Sequence, residues 1–453
     1  MKWEMNFRMR IRKLSVAGLL VLVLAVPQAF SDINASVLPL GHRIPETSKE
    51  SFLSDTYQGQ VSRFKMYGQR YKRANATANV FAHGFLNTYW MVDPWAQASW
   101  MMGYDTYMFN HVHFGLDGER SYTEPYQKGD YDMSGMIRGM DQVIDMAVKQ
   151  SGGPINYIGF SLGGMTIYEY LSGMVGVKPD GNPIRDPKVA EARRKKIRAI
   201  VTIAAPPYSL KGMSLPSRLA AMVGHRVLNT FDRIQGVVPM GLGGHRELHK
   251  GNPAMIGRII DLIPNFMGKW AIDMMIADVG NRKNFGYWKN NLGPMIRTMF
   301  SDPHTEILAN LGTIANKLDR SPTADIGHIP NLIIMGTDDG LANKDALVHE
   351  LKERMAHDYD ESAVIVEGFS HLDLMLDPAI YQRGLGQLVE AYLEDPQAFV
   401  YDFGRVNMYR TKEQLETHLL RHTYSTLERR SEKLKERKQT GIIQPYCESV
   451  LHW

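Results

Sequence analysis

The chain of 453 residues is long enough for one large α/β domain with an insertion, or for two domains. Its composition, 44% hydrophobic and 22% charged, is that of an ordinary globular protein, and a formal net charge of +4 is too small at this length to indicate nucleic-acid binding. The single cysteine, Cys447, excludes a disulfide, a cysteine zinc site or a redox pair within one chain.

The N-terminus has the pattern of a secretory signal. Five basic residues at positions 2–13 precede an apolar run over residues 14–26, and Ala29 and Ser31 then supply the small residues of a cleavage site. We therefore expect residues 1–31 to be removed and the mature protein to be exported, either periplasmic or secreted. The alternative is an uncleaved N-terminal membrane anchor.

The first buried strand is predicted over residues 78–82, and it ends in His83-Gly84-Phe85. In serine hydrolases of α/β architecture, a loop after an early strand supplies one backbone amide of the oxyanion hole. The amide of Phe85 is the natural donor here, whereas His83 is predicted to be a hydrogen-bonded supporting residue rather than a catalyst. The alternative for this segment is a plain strand-ending glycine turn.

A strand and a helix follow in the order expected for a parallel sheet. Residues 94–102 predict a helix opened by Asp93, residues 106–110 a strand, and the helical spacing of apolar residues predicts a helix over 130–149. His111 and His113 extend the strand and share one face, but no acidic partner stands at ligand spacing, so we predict no metal site. Strand, helix and strand at this rhythm indicate parallel strands.

The strongest motif in the chain is a nucleophile elbow. A β-favouring run over residues 155–160 leads directly into Ser161, which has Gly159 and Gly163 two residues to either side. A helix follows at once, so the G-x-S-x-G motif has the strand, sharp turn and helix that its function requires. The amide of Leu162, at the start of that helix, is the second predicted oxyanion donor. The alternative is a glycine-serine turn that occurs by chance.

The chain departs from strand-helix alternation after the next strand. A charged run at 193–196 is predicted to be a solvated helix end, and residues 199–205 a buried strand. Residues 206–320 then carry nine of the 27 methionines, glycine and proline breaks, and helical apolar stretches. An insertion at this point predicts a helical cap. Because methionine suits surfaces that accept varied apolar shapes, we expect an apolar inner wall and a substrate with an apolar part.

An acid at the end of a late strand is the third element of the predicted site. Residues 331–335 form the strand, and Gly336-Thr337-Asp338-Asp339 follows it. Asp339 is favoured because it is the fourth residue of a G-x-x-D turn, and Asp338 remains the alternative. A helix is predicted over residues 345–355.

The histidine of the site is predicted from its position. His371 lies on a loop between a last strand at 363–366 and a final helix at 378–393. A serine hydroxyl needs a base within hydrogen-bond reach and an acid to orient that base. The chain order of serine, aspartate and histidine is the order expected of α/β-hydrolases and differs from both major serine protease orders.

These residues resemble a known family, the α/β-hydrolase superfamily, and most specifically its neutral and acid lipase branch. The resemblance covers residues 78–393 without the cap and rests on the motifs His83-Gly84-Phe85-Leu86, Gly103-Tyr104-Asp105, Gly159-Phe160-Ser161-Leu162-Gly163-Gly164 and His371-Leu372-Asp373. It implies carboxylic ester hydrolysis on acyl lipids by a triad of Ser161, Asp339 and His371. The cap matches no lid of the family, and the segment before the first strands lacks the family's usual start.

The sequence thus predicts an α/β-hydrolase fold, a mostly parallel sheet flanked by helices with a helical cap insertion. The predicted domains are a signal at 1–31, a core at 32–205 and 321–400, a cap at 206–320 and a charged helical tail at 401–453. The expected substrate is a small-molecule or lipid ester, and contact with a lipid surface is an open alternative; no nucleic acid and no cofactor are expected. The alternatives are an acyltransferase or polyester depolymerase using the same serine, and a non-catalytic binding protein on this fold.

Overall fold

The computed structural model describes most of the predicted core. The described residues are 44–56, 63–84, 88–112, 114–115, 119–125, 133–178, 183–205, 326, 328–339, 361–366, 369–376, 385–397 and 406–409. The predicted signal, cap and 345–355 helix, together with Phe85, lie outside them. In these ranges every helix is too short or too polar to cross a bilayer.

The centre of the fold is a sheet to which ten strands of the described residues contribute. Its strands are β1 (Lys49–Thr56), β2 (Arg63–Tyr71), β3 (Ala78–Ala82), β4 (Asp105–Phe109), β5 (Tyr122–Glu124), β6 (Ile155–Phe160), β9 (Ile197–Ile203), β10 (Asn331–Gly336), β11 (Glu361–Val366) and β12 (Val406–Tyr409). The order across the sheet is β1-β2-β4-β3-β6-β9-β10-β11-β12, and β5 pairs with β2. A separate hairpin joins β7 (Met174–Val177) to β8 (Pro183–Arg185).

In sheet order, the strands β4, β3, β6, β9, β10, β11 and β12 pair in parallel, each with the next. The strand β2 is antiparallel to β1, β4 and β5. The interior strands β3, β6 and β10 are buried at every position, as is expected when helices cover both faces of a parallel sheet. This arrangement is the α/β-hydrolase fold, so the predicted fold class is confirmed for the part of the chain that the structure describes.

Two groups of helices flank the sheet. Helices α1 (Asp93–Met101) and α6 (Leu385–Glu394) contact each other. The second group contains α2 (Met133–Ser151), α3 (Leu162–Leu171) and α4 (Pro187–Arg194), in which α3 contacts both of the others. The short α5 (Asp373–Leu376) follows β11. The buried side of α2 is the apolar stripe that its helical spacing predicts, including Met136, Met140, Val143 and Ala147.

Two sequence predictions need correction. The tail predicted as helical from residue 401 contains β12, which extends the sheet by pairing in parallel with β11. The charged run at 193–196 is not a fully solvated helix end, because Arg193 is buried and its guanidinium donates to the carbonyls of Tyr170 and Met174. Both errors have the same cause, since a charged composition does not reveal which partners the fold brings to it.

Parallel pairing determines where the predicted site residues emerge. Strands β3, β6, β9, β10 and β11 are successive parallel neighbours, so their carboxyl ends lie at one edge of the sheet. His83 follows β3, Ser161 follows β6, Asp339 lies beyond β10, and His371 lies beyond β11. Four segments that are far apart in sequence therefore converge at the edge where ligands bind in α/β sheets.

Candidate active site

The backbone at Ser161 has the strained conformation of a nucleophile elbow. Its φ is +49° and its ψ is −116°, a region that residues with a side chain rarely adopt and that is disfavoured by about 1–3 kcal/mol. The surrounding structure holds it there. The amide of Ser161 donates to the carbonyl of Ile203 at 2.9 Å, and its carbonyl accepts from the amide of Met165 at 3.0 Å, which starts α3.

Glycines make this turn sterically possible. A Cβ at position 159 would lie 2.6 Å from backbone atoms of Gly163 and Gly164, and a Cβ at position 163 would lie 2.5 Å from the carbonyl oxygen of Ala82. Real side chains essentially never make such contacts with backbone. The spacing of the G-x-S-x-G motif is thus explained by the approach of strand β6, helix α3 and the end of β3 around one residue.

The imidazole of His371 connects the serine to an acid. Its Nε2 lies 3.0 Å from the Oγ of Ser161, and its Nδ1 lies 2.9 Å and 3.1 Å from the two carboxylate oxygens of Asp339. An ionised carboxylate only accepts hydrogen bonds, so the Nδ1 of the ring carries the proton and donates it to Asp339. The Nε2 is then an acceptor that faces the Ser161 hydroxyl, which is the tautomer that a general base requires.

The two adjacent acids have different surroundings. The Asp339 carboxylate is fully buried against the His371 ring. Asp338 is exposed, and its carboxylate accepts from the hydroxyl of the neighbouring Thr337 at 2.9 Å. Of the two candidates that the sequence leaves open, Asp339 is therefore the one that contacts the histidine.

The loops of the acid and the histidine are joined through their backbones. The amide of Asp338 donates to the carbonyl of Phe369 at 3.0 Å, and the amide of Thr337 donates to the carbonyl of Val366 at 2.9 Å. A Cβ on Gly336 would lie 1.9 Å from that Phe369 carbonyl oxygen, so glycine is required for this contact. The G-x-x-D pattern indicates that position 336 needs a glycine, but it does not indicate that the close contact is with the Phe369 carbonyl.

The histidine loop is also closed from its other side. Asp373 is fully buried, and its Oδ2 accepts from both the amide and the hydroxyl of Ser370, at 2.9 Å and 2.8 Å. These two bonds span His371, whose ring packs 5.4 Å from the ring of Phe160. The sequence contains Asp373 in the His371-Leu372-Asp373 motif but assigns it no role, and the spacing of three residues between Ser370 and Asp373 is the signal for this loop-closing pair.

The predicted oxyanion donors are described in part. The amide of Leu162 belongs to the first turn of α3, where N–H groups have no partner within the helix, and no acceptor for it lies among the described residues. Phe85 lies outside the described residues. The last described residue before it, Gly84, packs against Ser161: a Cβ on Gly84 would lie 3.1 Å from the Ser161 Cβ.

Two buried histidines lie behind the site. The Nε2 of His83 accepts from the backbone amide of His111 at 3.1 Å, so its Nδ1 carries the proton and donates to the carbonyl of Gly84 at 2.7 Å. Burial lowers the pKa of His83 to about 4, an effect that the Gly84 bond offsets in part. The ring of His111 packs against His83, Phe109 and Phe114, and neither of its nitrogens has a hydrogen-bond partner in the described ranges.

Burial, and secondarily the neighbouring His83, lower the pKa of His111 well below its usual value. His113, which sequence alternation placed on the same face, lies outside the described residues. Among the residues that are described, no group of three or more His, Cys, Asp or Glu side chains has the arrangement of a metal site.

Comparison with known proteins adds distant structural neighbours. No protein-family model matches this sequence, and no curated protein is similar to it in sequence. The chain is similar in structure to an esterase from Thermogutta terrifontis, at 14% identity and a TM-score of 0.46 over 76% of this chain and 98% of that one. It is also similar to an esterase from Exiguobacterium antarcticum, at 13% identity and a TM-score of 0.47 over 76% of this chain and 99% of that one. A bromoperoxidase from Bacillus anthracis is similar at 15% identity and a TM-score of 0.45 over 76% of this chain and 100% of that one. At these identities and TM-scores, the assignment of the fold rests on the order of strands in the sheet and not on these neighbours.

A first prediction concerns the contact between the acid and histidine loops. Replacing Gly336→Ala forces a Cβ into the Phe369 carbonyl, so we expect a loss of about 1–3 kcal/mol in the free energy of unfolding, as for other overpacked sites. The matched control is Gly153→Ala, where a Cβ would meet nothing within 4 Å. Urea denaturation measures both variants, and equal stabilities would contradict the packing described here.

A second prediction concerns acid sensitivity. A histidine whose pKa is lowered in the folded state binds its proton first in the unfolded state, so stability falls as the pH drops below the ordinary pKa of 6.5. For His83, with a folded pKa of about 4, this loss approaches ~3 kcal/mol by pH 4. His111 should add to it.

The variant His111→Phe tests this second prediction. It removes a titrating group without removing any side-chain hydrogen bond among the described residues. We expect its stability to equal or exceed that of the unaltered protein at pH 7, and to fall less on going to pH 5. Urea denaturation at both pH values measures the difference, and an identical pH dependence in the two proteins would show that His111 titrates normally.

Proposed function

We propose that this protein is an exported serine hydrolase that cleaves carboxylic esters of apolar acyl groups through an acyl-enzyme. The observation that carries the proposal is the unbroken line of contacts from the Ser161 Oγ through the two ring nitrogens of His371 to the carboxylate of Asp339. A structural serine needs neither a base within hydrogen-bond reach nor an acid that orients that base. A serine nucleophile of the triad type is activated by both.

The acylation step follows from the tautomer of His371. As the Oγ of Ser161 forms a bond to the ester carbonyl carbon, its proton passes to the Nε2 of His371, and the carbonyl π electrons move to the oxygen. The buried carboxylate of Asp339 stabilises the imidazolium that results. When the tetrahedral intermediate collapses, the C–O bond to the alcohol breaks, and the Nε2 returns the proton to the departing alkoxide.

The deacylation step uses the same groups in reverse. Water loses a proton to the Nε2 of His371 and its oxygen attacks the acyl carbon. The bond between the acyl carbon and the Oγ of Ser161 then breaks, and the Nε2 returns the proton to that Oγ. The negative oxygen formed in each half needs donors, for which we propose the amides of Leu162 and Phe85. One such donor typically contributes about 3 kcal/mol to stabilisation of the transition state.

The finer parts of the proposal rest on features of the sequence, two of which lie outside the described residues. The apolar run at 14–26 supports export, and the methionine-rich segment at 206–320 supports an apolar acyl group and contact with a lipid surface. The resemblance of the elbow and of the His371-Leu372-Asp373 loop to the neutral and acid lipase branch supports acyl lipids as substrates.

Removal of the nucleophile tests the chemistry. We expect Ser161→Ala to lower the turnover of p-nitrophenyl esters by about 10⁴-fold or more, as loss of a catalytic serine does, and to abolish covalent labelling by a fluorophosphonate probe. Ser172→Ala, in the residue that directly follows the helix begun by the elbow, is the matched control and should keep both the turnover and the labelling. Thermal unfolding checks that each variant folds. Full activity in the Ser161 variant would refute the proposal.

The products distinguish hydrolysis from transfer. With glycerol or a sterol present as acceptor, a hydrolase yields mainly free acid, which mass spectrometry quantifies. A dominant transesterified product would replace the proposed hydrolysis with acyl transfer by the same serine. A folded protein whose Ser161 is not labelled would instead indicate a non-catalytic binding protein.

The acyl preference is tested with p-nitrophenyl esters of graded chain length. Burial of one methylene is worth about 0.8 kcal/mol, so kcat/KM should rise by up to roughly fourfold per methylene until the pocket is filled. Initial rates below saturation measure the series, and acetate and hexanoate esters form the first comparison. A flat or falling series would exclude an apolar acyl pocket.

A further inference from the structure

The side chain of His83 forms a bridge at the end of strand β3. It is fully buried, and both of its ring nitrogens are used. A backbone N–H can only donate, so the bond from the His111 amide leaves the Nε2 without a proton. The proton is therefore on the Nδ1, which donates to the carbonyl of Gly84 at 2.7 Å. One neutral ring thus ties the residue after β3 to the residues that follow β4.

The Gly84 carbonyl, which accepts from His83, belongs to a backbone segment that packs against the nucleophile Ser161. A Cβ on Gly84 would lie 3.0 Å from the ring of Phe160 and 3.1 Å from the Cβ of Ser161. On the other side, a Cβ on Gly163 would lie 2.7 Å from the carbonyl oxygen of His83 itself. The end of β3 and the elbow are in direct contact with no space between them, so a rotation of the Gly84 peptide displaces atoms next to the serine.

We infer that His83 is a positioning residue of the proposed reaction, which holds the Gly84 carbonyl so that the backbone beside Ser161 keeps the orientation that the transition state requires. The inference rests on the proposed function. It assigns the effect to the Nδ1–H bond with Gly84, and not to the Nε2 bond with the His111 amide. His83 is not a catalytic residue, because both nitrogens are engaged away from the serine.

Two substitutions separate the two bonds. The side-chain amide of His83→Asn lies where the Nδ1 lies and can donate to Gly84, but it does not reach the His111 amide. The longer side chain of His83→Gln reaches the position of the Nε2 and can accept from that amide, but it leaves the Gly84 carbonyl without its donor. His111→Phe, which retains its backbone amide, is the neighbouring control.

The readout is kcat per serine titrated with a fluorophosphonate, which is independent of the folded fraction, together with KM for a p-nitrophenyl ester. We expect His83→Gln to lower kcat about 10- to 100-fold, the effect of a small misplacement in an active site, with KM changed less than about twofold. His83→Asn and His111→Phe should stay within about threefold of the unaltered protein.

Other outcomes contradict the inference. An unchanged kcat per titrated serine in His83→Gln, or equal losses in the Asn and Gln variants, would reduce His83 to a structural residue while the proposed function stands. An unaltered protein that neither reacts with the probe nor cleaves esters would overturn both. If the Gln variant does not fold, side-chain nitrogen NMR of the unaltered protein decides, because a proton on the Nε2 of His83 would exclude the Gly84 bond.

Discussion

Contact of backbone with backbone around Ser161 is the constraint on which the rest of the site depends. The elbow touches the end of β3 through Gly163 and Gly84, and the acid loop touches the histidine loop through Gly336. At Gly163 and Gly336 a Cβ would overlap a backbone carbonyl, so these two distances are set by main-chain atoms rather than by flexible side chains, while Gly84 lies close against the side chains of Phe160 and Ser161. Hydrogen bonds that depend on angle and on tenths of an ångström can be maintained only on such a frame.

The frame also explains why a strained residue persists. The backbone of Ser161 is disfavoured locally, but its amide and carbonyl are both bonded, to β9 and to α3. Relaxing the turn would break these bonds and separate the strand from the helix. The bonds to the sheet and the helix thus maintain the strained backbone of Ser161. This backbone conformation directs the Ser161 hydroxyl toward His371 rather than toward the helix that follows.

Much of the fold and of the candidate site could be predicted because the signals are local. The elbow is a run of consecutive residues, and the buried strands over 155–160, 331–335 and 363–366 are mostly apolar segments of the length that a parallel sheet requires. Where partners come from distant segments, sequence reasoning was incomplete. It favoured Asp339 from the G-x-x-D spacing but left Asp338 open, since the contact with His371 that decides between them joins distant segments. It also missed β12, a strand that extends the sheet from within charged surroundings.

The three described histidines near the site show how environment assigns function to one residue type. His83 and His371 have the same tautomer, with a proton on Nδ1 and an Nε2 that can accept a hydrogen bond. They differ in what each nitrogen faces. In His83 the partners are a neutral carbonyl and a backbone amide, so a second proton would create a buried charge with no counter-ion among the described residues. In His371 the partners are a carboxylate, which stabilises an imidazolium, and a hydroxyl, which can supply the proton. His111, packed among aromatic rings, has neither partner in the part of the chain that the structure describes. The carboxylate of Asp339 therefore determines which of these rings can serve as a base, and its position depends on the glycine that lets its loop contact Phe369.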